Sequence, residues 1–371
     1  MKNIAVITAA TNTIERFRID MIDEFVRRGC DVLVLGDEPE AAWKTYFDEH
    51  GVRYRSYPVS RNGMNPVRDL GTLQALTAIL REEHPDKVFT YQAKPNIYGG
   101  IAAHRTGAEL YVMMGGLGSV FRPSTAKDRI IRNVVSAEYR TSLRNARAVF
   151  FQNNEDAETF KRLGIARQDQ VVMVHGSGVN LDKFPSEPIP DKTSFLFVGR
   201  LVRGKGVLDY LDAARIVKNE HPEAEFVLVG PYDTNPTALG PADIEPYVED
   251  GTIRYEGERR PDEIHEYMNA CSCFVLPSYY GEGTPKSALE AMATGRSIIV
   301  ADAVGCREVV CDGKNGFLVP PKAPSSIAQA MMRLVEDTEL VERMGKASRR
   351  MAEEVFDVRC VNETICEAMG L

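Results

Sequence analysis

No apolar run in the 371 residues approaches the roughly 20 needed to cross a bilayer. Any contact with a membrane is therefore expected from the side. The opening stretch, MKNIAVITAATNTIER, carries one Lys and a short apolar run that soon gives way to polar sequence. It reads as a first strand and its loop, because a secretory signal needs a longer apolar region and a cleavage site. There is no basic surplus either: 45 Lys and Arg stand against 53 Asp and Glu, for a net charge of −8. That argues against a dedicated nucleic-acid binder, whose phosphate contacts need a basic surface. The seven cysteines (Cys30, Cys271, Cys273, Cys306, Cys311, Cys360 and Cys366) form no C-x-x-C pair, and no His stands at zinc-finger spacing. Scattered and odd in number, they predict reduced thiols in a cytoplasmic compartment and no metal site. Short-period repeats and low-complexity tracts are also missing.

What is present is a chain of ordinary globular make-up, 44% hydrophobic and 26% charged, long enough for two domains. Short apolar runs alternate with helical periodicity from end to end. Asn3–Ile7, Asp31–Gly36, Lys87–Thr90, Leu110–Met113 and Ala148–Gln152 read as buried parallel strands. Between them lie helical stretches such as Phe17–Arg28, where Phe17, Met21, Ile22 and Phe25 share one face and Gly29 closes the helix. After the proline-rich FPSEPIPDKT at 184–193, which reads as a connector, a second series follows. Its strands are predicted at Ser194–Gly199, Glu225–Gly230, Thr252–Tyr255, Ser272–Pro277, Ser297–Ala301 and Gly316–Val319, with a helix such as Val207–Asn219 between. The fold class is α/β, two doubly wound Rossmann-like domains, 1–185 and 186–354. Such sheets bind ligands beyond the carboxyl ends of their strands, so the site is expected in the cleft where two domains face each other.

The segment PSYYGEGTPKSALEAMATG, 277–295, carries the most chemistry. An apolar strand runs into Pro277, and a loop with Gly281 and Gly283 follows. Thr284 as N-cap and Pro285 at the first helical position then open a helix that runs to about Thr294. A helix start of this kind offers free N–H groups and a positive dipole end to an anion. Glu282 precedes the helix and Glu290 lies about two turns into it, both able to accept from sugar hydroxyls. Lys286 in the first turn opposes the dipole, which makes sense if it faces an anion. A capped helix with solvated charges remains the alternative at this point. The second element is FLFVGRLVRGKG, 195–206: a strand ends at Gly199, and Arg200 and Lys205 follow on the next loop. Two cations there can neutralise a diphosphate, although an exposed basic loop would look the same and the GxxxxGK[ST] frame of a P-loop is missing. Both elements fall at strand ends of one sheet.

The runs G-R-L-x-x-x-K-G at 199–206, E-G-T-P…L-E-A-M-A at 282–293 and D-G-x-N-G-F-L-V at 312–319 resemble the retaining glycosyltransferases of family 4, with the GT-B fold. The resemblance covers nearly the whole chain. Within that family the S-Y-Y-x-E-G-T-P, K-P-N-x-Y-G and G-G-L-G-S-V-F runs look like bacterial transferases that build glycans on polyprenyl diphosphate, many from UDP-N-acetylhexosamines. The resemblance implies that Gly199, Arg200 and Lys205 hold the donor diphosphate. It implies too that Glu282 bonds the transferred sugar, that Glu290 bonds the ribose, and that Gly283, Thr284 and Pro285 lie beside sugar and phosphates. Gly257 to Arg260 fall where the base binds through main-chain groups. It further implies that a C-terminal tail, about 355–371, packs back on the first domain. One departure stands out: where many members carry an N-domain His, this chain reads YVMMGGLGSVF, with Gly115 and Gly116. His104 and His175 are the nearest histidines to candidate loops. Lys94 and Asn96 in TYQAKPNIYGG, with Gly116, are the acceptor-side candidates, Lys94 as a holder of acceptor phosphate.

These parts predict a metal-independent transfer from a UDP-sugar with retention, in which Arg200, Lys205 and Glu282 do the catalytic work and no cofactor is needed. No DxD-like pair occurs at a suitable strand end. The predicted acceptor is a polyprenyl-diphosphate-linked saccharide. From Phe121 to Arg147 the chain carries seven Arg and Lys with Ile130, Ile131, Val134 and Val135 interleaved. That pattern fits an anionic membrane surface, and equally a helix packed on its own sheet. A cytoplasmic protein on the inner face of the inner membrane is the resulting expectation. Two rival readings are a UDP-sugar 2-epimerase of the same fold and a non-catalytic nucleotide-sugar binder.

Overall fold

A computed structural model describes residues 2–60, 63, 65–123, 125–234 and 237–371. The chain divides into two compact units, Met1–Ser177 with Val361–Leu371, and Gly178–Cys360.

The first unit is built on seven parallel strands: β1 Asn3–Ile7, β2 Asp31–Gly36, β3 Arg53–Ser56, β4 Lys87–Tyr91, β5 Glu109–Met114, β6 Ala148–Phe151 and β7 Val171–Met173. Their order is β3-β2-β1-β4-β5-β6-β7, so the winding reverses between β1 and β4. The apolar runs form the middle of the sheet, buried on both faces. The two edge strands, β3 and β7, went unread in the sequence. RYRS and VVM are short, and as edges they carry partly exposed side chains, so neither shows the continuous apolar run of a buried parallel strand.

The helix expected over Phe17–Arg28 is broken. Ile14–Phe17 and Ile19–Arg27 are separate helices, and Arg18 between them has φ −135° and ψ −10°. Met21, Ile22 and Phe25 are buried as their spacing predicts, but Phe17 is 37% exposed because the break turns the preceding residues away. The end of the chain belongs to this unit. Val361, Ile365, Cys366 and Met369 join Phe25 and Phe89 in one apolar cluster. Asn362 Nδ2 donates to the Asp20 carbonyl at 3.0 Å, and Arg28 pairs with Glu363.

The second unit holds six parallel strands: β8 Ser194–Val198, β9 Glu225–Val229, β10 Arg254–Tyr255, β11 Cys273–Leu276, β12 Ser297–Ala301 and β13 Gly316–Val319. Their order β10-β9-β8-β11-β12-β13 reverses between β8 and β11. The proline-rich stretch is part of this unit: Glu187 N donates to the Thr294 carbonyl at 3.3 Å. Arg296 Nη1 donates to the Glu187 and Pro188 carbonyls at 3.2 and 3.1 Å.

Candidate functional site

The loops after β8 and β11, the two strands at the reversal, lie against each other backbone to backbone. Tyr279 N donates to the Gly204 carbonyl at 2.9 Å. Gly206 has φ +74°, and a Cβ there would lie 2.3 Å from the Pro277 carbonyl oxygen, so only glycine allows this approach. The contact brings the two sequence elements into one site. Lys205 Nζ lies 2.6 Å from Glu282 Oε1, with both side chains about 15% exposed or less. Ser278 Oγ donates to the same carboxylate oxygen at 2.7 Å. Burial pushes the Glu282 carboxyl up, but Lys205, Ser278 and Arg200 outweigh it and hold the group below the ordinary carboxylate range.

Arg200 is held by a residue the sequence did not single out. Its Nη1 donates to Asp233 Oδ2 at 2.7 Å, and its guanidinium lies 5.8 Å from the centre of the Tyr280 ring. Asp233 comes from the loop after β9, which is zipped to the β8 loop. Arg203 N donates to the Thr237 carbonyl and Leu239 N to the Leu201 carbonyl. Asp233, Ser278 and Tyr280 could have been found only by asking which polar residues end neighbouring strands.

The helix after β11 spans Lys286–Ala293, and Pro285, with φ −69° and ψ 114°, is its N-cap. The expected assignment of Thr284 as N-cap is one residue early: Pro285 is extended, so the helix starts only after it. Glu290 is 3% exposed in the second turn, and Thr284 is 8% exposed. Lys286 is turned inward, with Nζ donating to the Gly178 carbonyl at 2.7 Å, so it anchors the start of the unit where an anion contact was expected. Gly283 and Glu282 are covered by Gly305 at φ +82°, where a Cβ would lie 2.1 Å from the Gly283 carbonyl oxygen. Gly199 N donates to the Val229 carbonyl and Gly257 accepts from Gly230 N. Arg260 is at the surface with Asp262 and Glu263.

In the first unit Lys94 Nζ is 2.6 Å from Asp69 Oδ1, and both side chains are nearly buried. Tyr98 donates to Glu138 beside this pair, and burial raises both groups. Asn96 is 1% exposed and donates to the Met113 carbonyl at 3.0 Å. Gly116 has φ +104° just beyond β5. His104 is exposed in the last turn of the helix Gly100–Thr106, with Nδ1 against Asn145.

Two wound sheets with a paired-cation site at the reversal of the second define a class, and two family models name it. The model for glycosyl transferases group 1 matches residues 179–351, and the glycosyl transferase 4-like domain matches 13–176. Between them they account for both units, and the chain belongs to the glycosyltransferases of GT-B fold. Among its relatives is the Campylobacter jejuni N,N'-diacetylbacillosaminyl-diphospho-undecaprenol alpha-1,3-N-acetylgalactosaminyltransferase, 29% identical over 92% of each chain. Among solved structures, Anabaena HepE in complex with UDP-glucose covers 100% of both chains at 20% identity and TM-score 0.80. Sucrose-phosphate synthase from Thermosynechococcus elongatus matches with 19% identity and TM-score 0.80, covering 100% of this chain and 98% of its own. At that identity the likeness is one of fold.

Proposed function

We propose that this glycosyltransferase moves a sugar, an N-acetylhexosamine, from a UDP-sugar to a saccharide carried on polyprenyl diphosphate, with retention and without a metal. The observation that supports it most is the convergence of Arg200, Lys205 and Glu282 at the strand reversal of the second unit. The Campylobacter relative, which acts on an undecaprenyl-diphosphate sugar, supports the acceptor class. In this reading residues 186–354 bind the donor and the rest of the chain binds the acceptor.

Leaving-group charge develops on the diphosphate, and Arg200 and Lys205 answer it. Lys205 is already neutralised by Glu282, so a bound donor must draw the ammonium toward phosphate while the carboxylate turns to a sugar hydroxyl. Gly199, Gly283, Thr284 and Pro285 supply close main-chain approach, Glu290 the ribose contact, and Gly257 to Arg260 the base contact. The acceptor hydroxyl attacks on the face from which UDP leaves, with the departing phosphate as its base.

The membrane side of the proposal rests on four exposed apolar side chains. Val67 and Leu70 are 81% and 54% exposed on the helix Pro66–Glu83, and Ile130 and Val134 are 67% and 48% exposed on the helix Ala126–Leu143. Asp69 and Glu138, on the same two helices, both reach the 94–98 turn. Arg68, Lys127 and Arg129 are exposed around them, a pattern suited to anionic lipid. Among the described residues no helix is long and apolar enough to cross a membrane.

The decisive experiment is transfer from UDP-N-acetylhexosamines to a short polyprenyl-diphosphate sugar, read with anomeric NMR and repeated in EDTA. Inversion, loss of turnover in EDTA, or turnover of no such acceptor would each remove a part of the proposal. Liposome flotation at low salt tests the lipid contact, and failure to float with anionic vesicles would defeat it.

A further inference from the structure

The first unit contains a charge that its own structure does not answer. Arg18 is 5% exposed. Among the described residues its guanidinium makes no ion pair and no hydrogen bond, and Nε is wholly enclosed without a partner. Its guanidinium lies over Tyr91, with Cζ 5.3 Å from the ring centre. Burial pulls its pKa down to about 10, only partly offset by Tyr91, and no carboxylate contributes.

The second unit shows what a satisfied buried arginine looks like. Arg296 is fully enclosed, and its nitrogens donate to the carbonyls of Met268, Glu187, Pro188 and Asn269 at 2.9 to 3.2 Å. Such an arginine holds a fold together. Arg18 has no such role, and a charge left without a partner in the interior destabilises the protein that carries it.

Its place in the fold gives the charge a purpose. Arg18 sits at the break between two helices, so the backbone departs from helix where this side chain turns inward. Tyr91 ends β4, at the strand reversal where a wound sheet receives its ligand. Polar groups gather there: Tyr91 Oη and Thr13 Oγ1 are 3.2 Å apart, and Gln92 Nε2 donates to Thr13 Oγ1 at 3.3 Å. Gln92 has φ +75°, a conformation that L side chains rarely adopt. Its Oε1 accepts from Ala9 N at 2.8 Å and from Thr8 Oγ1, holding the loop after β1 in place.

We infer that Arg18 binds a phosphate group of the acceptor, delivered to the carboxyl ends of β1 and β4. A guanidinium fork matches phosphate oxygens, and a diphosphate is the permanent anion of the acceptor proposed above, on which this inference rests. Lys94, tied to Asp69, is already neutralised, which leaves Arg18 as the better cation for the task.

The test uses the whole enzyme with the donor site filled by saturating UDP, and inorganic pyrophosphate as probe. Pyrophosphate should raise the melting temperature of the wild type further, because a ligand bound to the folded state stabilises it. Arg18→Met should lose that rise while its ligand-free melting temperature stays equal or increases. Its acceptor KM should rise at least about tenfold, with donor KM unchanged, and Arg18→Lys should fall between. No pyrophosphate effect in the wild type, or an unchanged effect and acceptor KM in Arg18→Met, overturns the inference. A rise in donor KM alone assigns the phosphate to the donor and overturns it too. If Arg18→Met fails to fold, an unchanged acceptor KM in Arg18→Lys still counts against it. Were the wild type to turn over no polyprenyl-diphosphate acceptor, the functional proposal would fall, while the pyrophosphate measurement would still decide whether Arg18 holds an anion.

Discussion

The carboxyl ends of the two sheets handle positive charge in opposite ways. In the second unit each cation of the candidate site has a carboxylate: Arg200 has Asp233 and Lys205 has Glu282. In the first unit Lys94 has Asp69, but Arg18 has no carboxylate among the described residues. A paired cation is cheap to keep in the absence of ligand and must exchange partners to bind one. An unpaired buried cation weakens the ligand-free fold and needs no exchange. Stability and binding strength are therefore distributed differently in the two halves.

The widest separation should come from the two buried arginines. Arg296→Met takes a fully buried guanidinium away from four backbone carbonyls and should cost about 3–5 kcal/mol in urea unfolding. Arg18→Met should cost nothing or add stability. Equal losses in both would erase the contrast and make Arg18 a structural residue.

Next in size is the pair of cations proposed to answer the leaving-group charge. Arg200→Ala and Lys205→Ala should each lose about 2–4 kcal/mol of transition-state stabilisation, roughly 30- to 1,000-fold in kcat/KM. Near-normal turnover in both would remove them from the reaction.

Lys205→Met also alters the response to pH. In the native protein Glu282 has a depressed pKa. Its ionised form thus contributes stability above the unfolded carboxylate value, and that contribution fades as pH falls through the lower folded value. Without Lys205 the burial effect is less opposed, the folded pKa moves up, and acid-side loss should set in at a higher pH. Superimposable profiles of wild type and Lys205→Met from pH 3 to 8 (roughly the range that brackets carboxylate titration) would refute the coupling.

The smallest effect is expected at Asp233. Arg200 is partly solvated, so Asp233→Asn should change donor KM by only about two- to fivefold. The direction should be toward tighter binding, since a competing carboxylate is gone while the amide oxygen still accepts from Arg200. Weaker binding would mean that the charge on Asp233 is needed to aim the guanidinium.

Much of this was legible in the residues. The central strands are continuous apolar runs, and the two elements of the candidate site stand at the ends of two of them. The edge strands were not, because RYRS and VVM carry no buried-strand pattern. The partners of the cations were not either. Asp233 lies 33 residues from Arg200, and Asp69 25 from Lys94, and nothing in local spacing links them. Lys286 looked like an anion contact by its position in a first turn, yet its ammonium answers a carbonyl of its own unit.

By itself the sequence determined the alternation of strand and helix, hence two wound sheets and the strand ends where chemistry gathers. Periodicity and burial are local properties, readable one segment at a time. Which cation meets which carboxylate, and which is left alone, was decided only when strands distant in the chain were placed side by side. Charge pairing depends on distance in space, and a helix that breaks at one residue leaves Phe17 exposed where periodicity had placed it on the shared apolar face.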